Sequence, residues 1–261
     1  MEEASLFNGW GKTVNATIIS PGDTEIAAIR DKFEALKDFE FIPIREIPEN
    51  YGKKILVDFT FDLFNKDIKP EQLFRIFADF QRHLDALRFT GTTFNFILNY
   101  PFSSNQKNYL YFHRAVERYL ELAGEFYTVK LIIIPNIISR HCFNKIENPI
   151  IHIINAARMG KGLKVNLTDH SRFTFIYGID LITSLLTALD HIGTENIVIE
   201  GLDLCLKDIA DIACGTAGDA PIQFDKERFI KYNYPDVQAK SIENINYGFE
   251  NMMIDLINNL F

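Results

Sequence analysis

Short apolar runs alternate with segments of helical spacing along the first half of the chain. Val14 to Ser20 is one such run, and Pro21-Gly22-Asp23 closes it, which predicts a strand and a turn. Ile26, Ile29, Phe33 and Leu36 then recur every three or four residues, predicting a helix capped by Asp23 or Thr24. Phe39 to Ile44 and Lys54 to Phe61 predict two further strands. From Pro70 to Arg88 the apolar positions Leu73, Phe74, Phe77, Phe80, Leu84 and Leu87 mark a helix. Phe74, Phe77 and Phe80 read as core or as a helix–helix contact surface. A strand at Thr92 to Asn99, a helix at Gln106 to Ala123 and a strand at Val129 to Ile134 complete this half.

Near-continuous apolar strands separated by helices imply a parallel sheet covered on both faces. The second half is built from shorter units. Pro149 to Met159, Ile179 to Ile192, Leu206 to Ala213 and the stretch around Glu243 to Asn258 predict helices. Leu163 to Leu167 and Asn196 to Glu200 predict strands. The expected architecture is α/β: a truncated, Rossmann-like, doubly wound parallel sheet with a smaller C-terminal α/β lobe. The division falls at 1–135 and 136–261, with the lobe interleaved with the first part and packed over the carboxyl ends of the sheet, where open α/β sheets bind ligands.

Charge narrows the class of ligand. A formal net charge of −8 disfavours a sequence-independent nucleic-acid binder, which needs a positive surface, and an anionic membrane surface as well. A phosphorylated small ligand at a helix N-terminus stays compatible with it. No apolar run approaches the length of a membrane span or a secretory leader. Cys142, Cys205 and Cys214 form no CxxC pair, so a reduced, cytoplasmic setting is expected. The six histidines show no HxxxH or HExxH spacing, and no metal site is expected. Arg140-His141-Cys142 is a cluster in sequence, but neighbours on an extended chain point in opposite directions.

Four segments together resemble the extended short-chain dehydrogenase/reductase family, in its branch of NAD-dependent epimerases and dehydratases of nucleotide sugars. Tyr109 to Leu120, with Glu117, resembles the family's tyrosine helix; Ile133-Ile134-Pro135-Asn136 resembles the strand exit that turns toward substrate. Ser171 to Leu181, with Arg172 and Asp180, resembles the arginine-plus-strand segment leading to an acidic helix cap. Asp225 to Phe229, Tyr234-Pro235 and Ser241 to Asn244 resemble the family's ending. The resemblance implies NAD or NADP as cofactor, a nucleotide-sugar ligand, and a homodimer through helices 70–88 and 106–123, or a partner enzyme in surface-polysaccharide synthesis. It implies Tyr109 as acid/base with His113 where the assisting lysine stands, Asn136 and Arg172 as substrate contacts, and Gly22 and Thr24 at the cofactor turn.

Several residues depart from that pattern. The glycine positions of the family's GxxGxxG turn fall on Pro21, Thr24 and Ala27, and Asp23 and Glu25 put carboxylates beside a diphosphate. A strand–helix unit is missing around Pro43 to Lys54. Asp58-Phe59-Thr60-Phe61-Asp62 replaces a small-residue segment, and the loop carrying a serine or threonine is short, with Ser103 or Ser104 available. These losses point to impaired or absent cofactor binding and catalysis; an active enzyme using Tyr109 is the alternative. His113 lies one helical turn from Tyr109, but its ordinary pKa of about 6.5 leaves it mostly neutral at pH 7. The pair is either a proton-transfer couple or a half-buried aromatic helix surface. Arg172 is either a diphosphate clamp or a salt bridge to Asp169 or Asp180, and Asn136 either touches substrate or ends a turn.

Overall fold

The computed structural model describes residues 16–22, 24–30, 36–37, 39–51, 54–60, 69–87, 93–99, 107–125, 127–138, 148–191, 195–229, 239–243, 245–246 and 248–259. The helix at 107–123 is described as backbone only over 107–110. Ser103, Ser104, the Arg140-His141-Cys142 cluster, Asp23, Tyr234 and Asn244 lie outside the described residues.

The chain opens β1 (Ala16–Ser20), α1 (Glu25–Ile29), β2 (Phe39–Pro43), β3 (Lys54–Phe59), α2 (Pro70–Ala86), β4 (Thr93–Asn99), α3 (Lys107–Ala123) and β5 (Thr128–Ile134). It continues β6 (Asn136–Ile138), α4 (Pro149–Met159), β7 (Leu163–Val165), β8 (Arg172–Tyr177), α5 (Gly178–Asp190) and β9 (Asn196–Ile199). It ends β10 (Leu202–Cys205), α6 (Leu206–Ala217), β11 (Ile222–Phe224), β12 (Ala239–Ile242) and α7 (Phe249–Asn259). Seven parallel strands form the main sheet in the order β12-β9-β5-β4-β3-β1-β2. β2 is its edge, and no helix lies between β2 and β3 among the described residues. That is where a strand–helix unit was expected to be missing.

Alternation along each strand sends side chains to opposite faces, and helices cover both. Val57, Phe59, Phe96, Leu98, Leu131 and Ile133 pack with Phe80 and Leu84 of α2 and Phe112, Val116 and Leu120 of α3. Ile18, Leu56, Ile97 and Ile132 pack with Ile26 and Ile29 of α1 and Leu181, Leu185 and Leu189 of α5. The three phenylalanines of α2 divide. Phe80 is core, whereas Phe77 meets Tyr119 of α3 edge-on at 4.8 Å. Phe74 does neither, being 56% exposed, because it falls on the far side of the helical stripe.

Residues 136–261 contribute β9 and β12 to the main sheet and also build two small sheets, β10-β8-β6 and β11-β7. β6 starts two residues past the carboxyl end of β5, so the first small sheet springs from that end. The junction is tight: a Cβ on Gly201 would lie 2.4 Å from the Phe175 carbonyl oxygen and 2.6 Å from Pro135 Cγ. At the opposite ends of the strands, Lys130 Nζ donates to the carbonyls of His191 at 2.8 Å and Ala188 at 3.3 Å. It thereby caps the negative end of α5.

Candidate functional site

The chain leaves β1 for β2 on one side and returns to β3 on the other. The carboxyl ends of β1 and β3 therefore flank the topological switch point, where an open α/β sheet has its crevice. Ser20 ends β1, and Gly22 turns the chain with φ +95°, a left-handed conformation that suits glycine. The Gly22 N–H donates to Ser20 Oγ at 3.1 Å. Thr24 caps α1 in an extended conformation, its Oγ1 accepting the Ala27 N–H at 3.2 Å and lying 3.0 Å from Ser20 Oγ.

The crevice between these strands is filled from within. Thr24 Oγ1 donates to Asp58 Oδ2. Thr60 donates to Asp58 Oδ1 twice, from its hydroxyl at 2.6 Å and its N–H at 3.0 Å. The same threonine closes the helix: its hydroxyl accepts the Ile26 N–H at 3.1 Å and its carbonyl accepts the Glu25 N–H at 2.6 Å. Asp58 is fully buried, and burial pushes its carboxyl up to about 6, against the opposing pull of the Thr24 and Thr60 hydrogen bonds. Glu25, also buried, reaches across to the ends of two other strands. Its Oε2 accepts from Asn99 Nδ2 of β4 at 3.0 Å and from the Ile137 N–H of β6 at 3.3 Å.

A diphosphate held at a helix N-terminus needs free backbone donors and no competing negative charge. Here the Glu25, Ile26 and Ala27 N–H groups already donate to Thr60 and Thr24, and two carboxylates share the neighbourhood. Gly22 and Thr24 do sit at the expected turn, but Thr24 is committed to Asp58 and Ala27. The residues present do not fit the phosphates of a dinucleotide.

Tyr109 lies in the first turn of α3, with His113 one turn further on. The His113 ring is buried, and its Nδ1 stands 3.2 Å from Glu117 Oε1, a partner on the side away from Tyr109. Tyr111 faces outward, 62% exposed. Asn136 is not a turn residue: it opens β6, buried, with Nδ2 donating to the Thr174 carbonyl at 3.4 Å. Arg172 pairs with neither Asp169 nor Asp180. Its Nε donates to Asp203 Oδ2 at 3.0 Å and its guanidinium also reaches the Asp203 carbonyl, because the antiparallel pairing of β8 and β10 brings Asp203 alongside. Asp180 instead accepts the Asn246 N–H at 3.1 Å. Sequence reasoning flagged Asp58 and Glu25 but missed their partners. Asn99, a polar residue closing an otherwise apolar strand, was the one available signal for the Glu25 bridge.

No family model matches this sequence, and no curated protein matches it. Solved structures do match. RMD from Pseudomonas aeruginosa, complexed with NADPH, is 12% identical with a TM-score of 0.69, over 94% of this chain and 98% of that one. ADP-L-glycero-D-manno-heptose-6-epimerase from Helicobacter pylori is 11% identical with a TM-score of 0.66, over 96% and 98%. A GDP-L-fucose synthetase from Naegleria fowleri bound to NADP is 13% identical with a TM-score of 0.63, over 95% and 93%. At such identities the likeness is one of fold alone: the chain shares a Rossmann-like α/β fold, with a seven-stranded parallel sheet, with these three proteins.

Proposed function

We propose that this chain is a divergent nucleotide-sugar epimerase/dehydratase-like protein that has given up dinucleotide-dependent turnover. It retains a binding role toward a nucleotide-linked sugar, in the cytoplasm, as a homodimer or beside a partner enzyme of surface-polysaccharide synthesis. The observation that carries the reading is the self-filled crevice between β1 and β3, where Thr24 and Thr60 take up the helix donors and Asp58 and Glu25 supply negative charge. Arg172 and Asn136, the first residues of the small-sheet strands β8 and β6, would contact the nucleotide sugar, Arg172 by exchanging Asp203 for a diphosphate. Thermal unfolding tests it directly. A UDP- or GDP-sugar at about 100 times its Kd adds about 2.7 kcal/mol of stability, whereas NAD, NADP and their reduced forms add none. A clear shift with either dinucleotide refutes the closed crevice.

A second reading keeps an active enzyme, with Tyr109 exchanging a proton with a substrate hydroxyl or carbonyl and His113 assisting it. The placement of Tyr109 and His113 one turn apart on α3 favours it. The Glu117 carboxylate stands 3.2 Å from His113 Nδ1. Under this reading a sugar nucleotide is consumed by the wild-type chain and not by Tyr109→Phe; equal turnover by both removes Tyr109 from the chemistry.

A further inference from the structure

The connection from β2 to β3 lies against α2 and is fastened there by one side chain. His83 of α2 is wholly buried. Its Nε2–H donates to the Ile44 carbonyl at 2.7 Å, which leaves Nδ1 of the neutral ring to accept from the Tyr51 hydroxyl at 2.9 Å. Ile44 and Tyr51 stand at the two ends of residues 44–51, so both ring nitrogens are spent on a single strap. The same ring stacks on Phe80 at 6.4 Å and meets Tyr51 edge-on at 6.0 Å. Between its ends the strap is largely exposed. Its other polar tie to α2, Arg45 Nε to Asp79 Oδ2 at 3.4 Å, is a surface pair that adds little.

We propose that residues 44–51 form an acid-released strap: a proton taken up by His83 drives the ring from between Ile44 and Tyr51 and frees the segment from α2. The surroundings of the ring oppose a charge on every side. No carboxylate touches it. Asp79, one turn back on α2, favours the cation but already faces Arg45, and Arg82 opposes it. On the strap Tyr51 is the ionisable contact, while Arg45, Glu46 and Glu49 are exposed. The neighbours in the same cluster from β3 and β4, Ile55, Val57, Phe94 and Phe96, are apolar. A protonated ring would also present two donors, and the Tyr51 hydroxyl would have to turn from donor to acceptor. Burial accordingly lowers the His83 pKa. Once the strap is released, the ring is in water and titrates near its ordinary 6.5. Release is therefore indifferent to pH above that value and is favoured by up to about tenfold per unit as the pH falls toward the closed-state pKa. The ladder between β1 and β2 runs over residues 39–43 without the strap, so the release can stay local.

Hydrogen exchange of the full chain, read residue by residue by NMR between about pH 5 and 7.5, tests this. The Ile44 and Glu46 amides, bonded to the Ser20 and Pro43 carbonyls, report the strap, and the amides of β4 report global unfolding. After correction for the intrinsic pH dependence of exchange, opening of the strap should increase as the pH falls below about 6.5. It should stay constant in His83→Gln, which keeps a donor for Ile44 and cannot take a proton. A wild-type strap whose opening ignores pH overturns the proposal, and so does an equal rise in His83→Gln. A strap that opens only together with β4 overturns it too, because the acid effect is then global. If His83→Gln does not fold, the wild-type chain decides: the Ile44 and Tyr51 signals should move with the midpoint of the His83 ring titration. Strap signals that stay in place while the ring titrates refute the latch.

Discussion

Asp58→Asn tests the electrostatics of the crevice without emptying it. In the unfolded chain this carboxyl titrates near its ordinary value of 3.8, and in the folded chain near 6. The difference of about two units corresponds to about 3 kcal/mol at 1.36 kcal/mol per unit. Because the folded value is raised, the protonated group favours the folded state. That contribution is fully present below about pH 4 and is lost as the pH rises through about 6, so above pH 7 the ionised carboxylate weighs against folding. Asparagine cannot titrate, and every other ionisable group is common to both proteins. Unfolding free energies from urea or guanidinium titrations, taken in half-unit steps from pH 4 to 7.5, should diverge accordingly. Wild type minus Asp58→Asn should fall by about 3 kcal/mol across the window and then level off. Parallel profiles, or a difference that grows with pH, would mean that Asp58 is ionised at little cost, and the argument from its burial would fail.

Gly201→Ala should lower stability by about 1–3 kcal/mol, because the added carbon meets the Phe175 carbonyl and Pro135 at the sheet junction; an unchanged Tm counts against that packing. His83 is buried and neutral, its Nε2–H donating to the Ile44 carbonyl at 2.7 Å and its Nδ1 accepting from Tyr51 at 2.9 Å. Burial lowers its pKa. Its contribution is therefore present in full above about pH 6.5 and is lost as the pH falls toward the folded value. His83→Gln should flatten that acid limb in denaturant titrations, and an equally steep limb would exonerate His83. Arg172→Ala should change stability by less than about 1 kcal/mol, since the pair with Asp203 is surface-exposed, while sugar-nucleotide affinity measured by calorimetry falls. An unaltered affinity leaves Arg172 as a surface ion pair.

Elements whose signals are local were legible in the sequence. Residues 149–159 carry Asn148 as cap, Pro149 in the first turn and Gly160 in the left-handed conformation after the last, so both ends of α4 are marked. The buried parallel strands announced themselves as apolar runs. β6, β10, β11 and β12 did not: they pair with partners distant in sequence, which no local pattern shows. The crevice was half legible for the same reason. Proline and threonine in place of glycines, and an aspartate within β3, were visible as departures. That Thr24 reaches Asp58 and Ile26 reaches Thr60, each across 34 residues, or Glu25 reaches Asn99 across 74, is a product of strand order alone. Arg172 likewise found its carboxylate on a strand that sequence reading did not predict.

The loss of backbone exposure and the gain of buried carboxylates are one change seen from two sides. Glycines at the turn after β1 leave N–H groups bare, and bare N–H groups in a buried place must find an acceptor. A ligand phosphate is one such acceptor; the side chains of this chain are another. Once Thr24 and Thr60 accept from α1, their own hydroxyl protons need acceptors, and Asp58 supplies them, its ionisation eased by three donors but still opposed by burial. The resulting network is complete without a ligand. Reopening it would take more than restoring a glycine, because each donor released from Thr24 or Thr60 leaves another group unpaired. A single Thr24→Gly substitution should therefore destabilise the chain without producing dinucleotide affinity, and thermal unfolding with and without NADP reads both outcomes. A variant that binds NADP would show that one hydroxyl, and not the network, had closed the crevice.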